Sequence, residues 1–457
     1  MGGSGITARL AGFAAGVEYA HLPDTTVRAV KRMVLDCLAT TLAGSALGAG
    51  VERLIDLARQ AGGAPEAAIV GTDVRAPAHL AALVNGGSAH ALNYDDYLPG
   101  GGVHLGVTGI PACLAVADSA GGVSGRELIA AIAAGSEVMA RLAAAIETGG
   151  YTETRPQTSQ LLGYFNAAVA AGRALRLDPR QLHSALGLAA MQCSGGRQPV
   201  LEGAEAKALY AAWPNQAGVQ CALLARSGLD GACAAFEGEA GLFATSFQGR
   251  YSPAALEAGL GQRWLVEGVT FKPWPTTNVA HVFIEAALAL ASERRVRPEE
   301  VAAVHLTGQE HIRTFCEPAA TRQAPHTSVE AEDSIPFCTA KALANGSLGL
   351  ADLQGEGLRQ PEALRIAAVT TYSTDASLGR AGIVRVATAS GERLERRVEQ
   401  PLGFPPRELS DADLAAKFRD CASHVRTAAS TDELLDQVLH LEDLASTSAL
   451  TAGLRGL

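Results

Sequence analysis

A mainly α protein is expected: a large all-helical domain with a smaller α+β domain inserted before the C-terminal helices. Three features of the residue pattern lead there. Up to about residue 265, apolar side chains recur at helical spacing between capping signals. Beyond Trp264, short runs rich in β-branched residues alternate with helical stretches. After about residue 400 the helical spacing returns. The chain has 457 residues, more than one ordinary hydrophobic core holds, so two domains follow. The boundaries fall at 1–266 with 401–457 for the helical domain and 267–400 for the α+β domain. Alanine and glycine are abundant, and small residues let helices approach closely.

In chain order, Asp24 can cap a helix in which Val27, Val30, Val34, Leu38 and Leu42 share a face. Ala68-Ile69-Val70 reads as a short strand. A short helix spans Ala78–Val84 and breaks at Asn85-Gly86-Gly87. Ser124-Gly125-Arg126-Glu127 is a capping box opening an Ala-rich helix to about Leu142. Asp178-Pro179 opens another through Leu188, with Pro at the first helical position, and a further helix runs from about Glu205 to Arg226. In the α+β part, Val301–Thr307 and Leu364–Tyr372 read as strands. Ile383–Ala387 and Leu394–Val398 form a hairpin about Ser390-Gly391. Helices lie at Val279–Ser292 and Ser334–Asn345. Ser410 to Asp413 and Thr431-Asp432-Glu433 start the closing helices.

The net charge of −10 argues against non-specific binding to nucleic acid or an anionic membrane. No run of about 18 apolar residues is present, so no membrane span is expected. The start of the chain lacks the basic and apolar stretches of a secretory signal. Eight cysteines are scattered singly, none in a C-x-x-C pair, which argues against a zinc knuckle or redox pair and fits a reducing cytoplasm.

The densest polar cluster is Asn93-Tyr94-Asp95-Asp96-Tyr97, followed by three glycines and His104. A carboxylate facing a histidine sets its tautomer and raises its basicity, as general acid–base catalysis requires. The plainer reading is a solvated loop whose aspartates cap the next helix. A magnesium-binding Asp-Asp-x-x-Asp helix is excluded, because Leu98 and Pro99 stand where the third carboxylate belongs. Lys207 and Lys272 stand out where basic residues are scarce; ammonium groups at a pocket edge bind carboxylates and stabilise an enolate. Taken alone, each reads more readily as a snorkelling surface lysine. Arg197 is a weaker member of the same class, and His281 sits on an apolar helix where packing is the commoner role.

Together these segments resemble the 2-methylcitrate dehydratase/cis-aconitate decarboxylase family, often called MmgE/PrpD, which includes iminodisuccinate epimerase. The likeness runs through Leu35-Asp36-Cys37-Leu38-Ala39-Thr40-Thr41-Leu42-Ala43-Gly44, then Ala89-His90-Ala91-Leu92-Asn93-Tyr94-Asp95-Asp96. It continues through Gly163-Tyr164-Phe165-Asn166, Phe271-Lys272-Pro273-Trp274-Pro275…His281 and Ala331-Glu332-Asp333-Ser334-Ile335-Pro336, in the family's order. The resemblance implies a helical domain with an α+β lid, a homodimer, and an active site in the cleft. It also implies metal- and cofactor-free proton abstraction beside a carboxylate. It makes His104 the acid/base, oriented by Asp95 or Asp96, with Lys207 and Lys272 contacting substrate and His281 lining the pocket. Asn93 stands where the family carries an acid, Tyr97 where it carries Thr, and Gln157 where a histidine is common. Neither amide titrates near neutral pH.

The expected activity is therefore water elimination from a small carboxylate or carbonyl compound. The alternatives are an epimerase or dehydration-coupled cyclase acting on a bulkier secondary metabolite, and a ligand-binding member that has lost catalysis.

Overall fold

The computed structural model describes residues 5–146, 157–294 and 296–456. Helices dominate, with one four-stranded mixed sheet and one two-stranded ribbon. The glycine-rich start at Gly2-Gly3-Ser4 and the Arg155-Pro156 pair lie outside the described residues.

Buried apolar residues gather in two main clusters. The first draws on helices from Ile6–Gly16 to Leu209–Arg226 and on the C-terminal helices Asp411–Ala422 and Ala428–Leu439. Asp411–Ala422 returns across the chain to pack on Asp24–Leu47. Gly125–Ala145 is long and apolar enough to cross a membrane, but it lies buried within this cluster. Its capping box at Ser124 and Glu127 forms as the sequence leads one to expect. Inside it, Arg141 is fully buried, paired with Glu137 and bonded to the carbonyls of Leu256, Ala258, Gly259 and Arg263.

The second cluster lies between the sheet and the helices His281–Arg294 and Ile335–Asn345. Numbering the ribbon Ala67–Ala68 and Arg75–Ala76 as β1 and β2, the sheet comprises β3 (Val301–Gly308), β4 (Thr370–Thr374), β5 (Gly382–Thr388) and β6 (Arg393–Val398). Its order is β4-β3-β5-β6, with β3 and β4 parallel and the other pairs antiparallel. The β5–β6 hairpin turns at Gly391, whose φ of 90° suits glycine.

Four local expectations are corrected. Asn85-Gly86-Gly87 does not break its helix, which runs unbroken over Ala78–His90. The glycines serve close packing: a Cβ on Gly86 would come within 2.6 Å of the Ala211 carbonyl oxygen and the Asn215 amide nitrogen. Leu364–Ala368 is helical, within Pro361–Ala368, because Pro361 at the first position favours a helix start and the β-branched run begins only at Val369. The β1 strand covers Ala67–Ala68, and Ile69 and Val70 pass into a turn. The penultimate long helix starts at Ala428, capped by Thr427, not at Thr431.

Candidate active site

The unbroken Ala78–His90 helix delivers His90 at its C-terminal end. Three residues later Asn93 adopts φ = 50°, a left-handed conformation that Asn tolerates better than most side chains. That turn aims both the carbonyl and the side-chain oxygen of Asn93 at Lys272, whose ammonium donates to them at 2.8 and 2.7 Å. The Asn93 amide in turn donates to Asp333 at 3.1 Å.

Asp95 is the hub. Its Oδ2 lies 3.0 Å from His90 Nδ1 and 2.8 Å from His104 Nδ1. Its Oδ1 is buried 4.0 Å from the Lys272 ammonium and has no hydrogen-bond partner among the described residues. Burial works to raise the Asp95 carboxyl, but the two imidazoles and Lys272 outweigh it and hold the group well below the usual carboxylate range. Asp95 is therefore ionised and accepts from both rings. His104 Nδ1 also sits 2.6 Å from the Asp96 carbonyl oxygen. A carbonyl only accepts, so Nδ1 carries the proton and Nε2 the lone pair.

Asp96 behaves differently. Its carboxylate accepts the backbone N–H groups of Leu105 and Gly106 at 2.9 and 3.0 Å, so it braces the loop that carries His104. Burial first, then the neighbouring Asp36 and Asp95, push it up to about 7. The same loop is fixed by Ser159, whose hydroxyl accepts from the His104 N–H at 2.9 Å, and by Asn166, which donates to Leu105. Tyr97 packs edge-on to His104 with ring centres 5.7 Å apart, and Phe404 lies 6.1 Å beyond.

Lys207 and Lys272 are both buried, so neither is a snorkelling surface lysine. Lys207 pairs with Asp333 at 3.1 Å and Glu332 at 3.3 Å. Burial opposes its charge, but these two carboxylates outweigh burial and raise its pKa, while Glu332 itself is pushed by burial up to about 8. Burial lowers Lys272, with Asp95 opposing. His281 is fully buried edge-on to Trp274, and burial together with Lys272 and Lys417 depresses it to about 3, so it stays neutral. Gln157 donates its N–H to Gly195, and Arg197 precedes the short Gln198–Glu202 helix. The structure thus gathers Asn93, Asp95, Asp96, Tyr97, His104 and Lys272 directly, and Lys207 through Asp333.

Five participants were not singled out from sequence: His90, Asp36, Lys417, Glu332 and Asp333. Lys417 donates to Asp36 and the Tyr94 carbonyl, both at 2.6 Å, and to the Lys272 carbonyl at 3.1 Å. A signal existed for it, since Lys417 shares a helical face with buried Leu414, Phe418 and Cys421. His90, Asp95 and His104 also offer ligand atoms within 4.8 Å of one another, the only such group found among the described residues. Both nitrogens, however, stand at hydrogen-bond distance from one carboxylate oxygen, and His104 Nδ1 also faces a carbonyl. That is the geometry of donors, fitted to orienting a base.

A family model described as the MmgE/PrpD N-terminal domain matches residues 8–254, and the corresponding C-terminal domain matches residues 274–441. The chain belongs to the MmgE/PrpD family. Similar curated proteins include a cis-aconitate decarboxylase-like protein, oryM, of Aspergillus oryzae, 26% identical with 99% of this chain and 97% of that protein covered. The cis-aconitate decarboxylase of Homo sapiens is 26% identical, covering 96% of this chain and 92% of its own. That of Mus musculus is 25% identical, covering 99% and 93%. These relatives are lyases by name. Within this MmgE/PrpD member, Asn93 to Lys207 come from the N-terminal match, and His281, Glu332, Asp333 and Lys417 from the C-terminal one. Lys272 lies in the stretch between the two matches.

Proposed function

We propose that this MmgE/PrpD member is a cofactor-independent lyase whose first step is removal of a proton beside a carbonyl or carboxylate by His104 Nε2. One observation carries this reading: the Asp95 carboxylate and the Asp96 carbonyl together hold the His104 Nδ1 proton, which frees the opposite nitrogen as a base. The His104 side chain keeps 14% exposure where Asp95 has none, so of the pair it is the one a substrate reaches. Lys272 uses two of its three N–H donors on Asn93, and the third suits an enolate oxygen. In the dehydration, the C–H electron pair forms the new double bond while the β-hydroxyl departs. The proton taken by His104 returns to that hydroxyl, and water leaves.

Epimerisation, or dehydration coupled to ring closure on a bulkier metabolite, shares the same first step. The aromatic wall of Tyr97 and Phe404 favours these for a larger substrate. The proposed enzyme works as a homodimer, with residues 267–400 as its lid.

Solvent deuterium exchange tests the chemistry. Wild-type protein in D₂O should label a substrate acid, ketone or ester at the carbon beside its carbonyl, and His104→Ala should lower the exchange rate about 10²–10⁴-fold. Full turnover by His104→Ala removes the assignment. A carbonyl compound that binds yet never exchanges favours the ligand-binding alternative.

A further inference from the structure

Every buried lysine of the site already faces a carboxylate of the protein. Lys207 meets Asp333 and Glu332, Lys417 meets Asp36, and Lys272 lies 4.0 Å from Asp95. Four carboxyl groups thus face three ammonium groups before any substrate arrives. We propose that the substrate is a β-hydroxy carbonyl compound bearing at most one carboxylate, because the protein's own acids occupy Lys207 and Lys417 and leave one N–H of Lys272 for it. This rests on the reading that His104 attacks the substrate.

Glu332 and Asp333 cannot simply swing aside. The Glu332 carbonyl accepts the Thr277 N–H at 2.9 Å, just ahead of the helix that begins at His281. Directly after Asp333, Ser334 caps the Ile335–Asn345 helix, accepting from Phe337 at 3.0 Å and donating to the Arg322 carbonyl. Asp333 itself is held from two sides, by Lys207 and by the Asn93 amide. Displacing these acids would strand two buried polar partners, the Lys207 ammonium and the Asn93 amide. A di- or tricarboxylate bound without displacing them would set its charges against the buried, ionised Asp95.

The same geometry says what remains for the substrate. One N–H of Lys272 and the lone pair of His104 address a single carbonyl or carboxylate. The rings of Tyr97 and Phe404 offer an apolar flank. Near that flank, the guanidinium of exposed Arg380 lies 5.7 Å from the Phe404 ring and offers a cation for one further anionic group.

Calorimetric titration of the full chain with citrate tests this. Wild type should show no saturable binding in the low millimolar range, and Glu332→Gln/Asp333→Asn should bind citrate at least tenfold more tightly. Micromolar citrate binding by wild type, or affinities within threefold of each other, overturns the proposal. Should the double variant not fold, the wild-type titration decides alone. Deuterium exchange into citrate by wild type would leave the His104 reading standing and remove this one. Exclusion of citrate, with no exchange into any singly charged or neutral β-hydroxy compound, would remove the His104 reading and this proposal with it.

Discussion

At the scale of single residues, the site depends on which atom of each side chain is already committed. Asp95 commits one oxygen to two imidazoles and keeps the other near Lys272. Asp95→Asn keeps the shape but replaces an ionised acceptor with a neutral amide, which no longer favours the Nδ1–H tautomer of His104. The expected outcome is a fall in kcat of about 10²–10⁴-fold with little change in KM, read by steady-state kinetics on a substrate identified by exchange. His104 and the two lysines were legible in sequence because they stand out from Ala/Leu-rich surroundings. Glu332 and Asp333 were not. They were visible only as part of a family segment, and their partner Lys207 lies 125 and 126 residues away. Asp36 and Lys417 are separated by 381 residues, and nothing local to either announces the pair.

At the scale of elements, capping residues told where helices begin. Ser124, Asp178, Ser334 and Ser410 each hold the first turn as their sequence context indicates. Glycines were harder, because the same residue permits a chain break and a close helix crossing, and only the neighbouring helix distinguishes them. Gly86 is the instance that matters, since an uninterrupted helix is what carries His90 to Asp95. Gly86→Ala should force the Leu209–Arg226 helix outward and lower stability by about 1–3 kcal/mol, read as a shift in the denaturant midpoint. Gly12→Ala, also in a helix but with open space around its Cβ position, should instead gain up to about 1 kcal/mol. The mistaken strand at Leu364–Ala368 has a related origin, because a short apolar run does not reveal its period.

At the scale of the whole molecule, buried acids make folding exchange protons with solvent. Glu332 is held up to about 8 in the folded protein and returns to the ordinary carboxyl range when unfolded. The folded state therefore keeps a proton that the unfolded chain has lost between about pH 4.5 and 8. The stability linked to it is complete below that window and drains away as the pH climbs through it. Glu332→Gln removes this dependence, so its melting temperature should gain on wild type from about pH 4.5 to about 8 and then run parallel. His281, depressed to about 3, works in the opposite sense: its contribution is present above the ordinary histidine range and is lost as the pH falls from about 6.5. Parallel melting curves of the two proteins across pH 4–9 check the sign.

The sharing of Asp95 Oδ2 by His90 and His104 has a consequence for timing. A single oxygen can neutralise only one positive ring. When His104 gains a proton in the proposed reaction it draws that oxygen closer, and His90, held neutral by burial, loosens its grip. The pair then works as a balance with one weight: a second proton finds no counter-charge, and the first must leave before the cycle can start again.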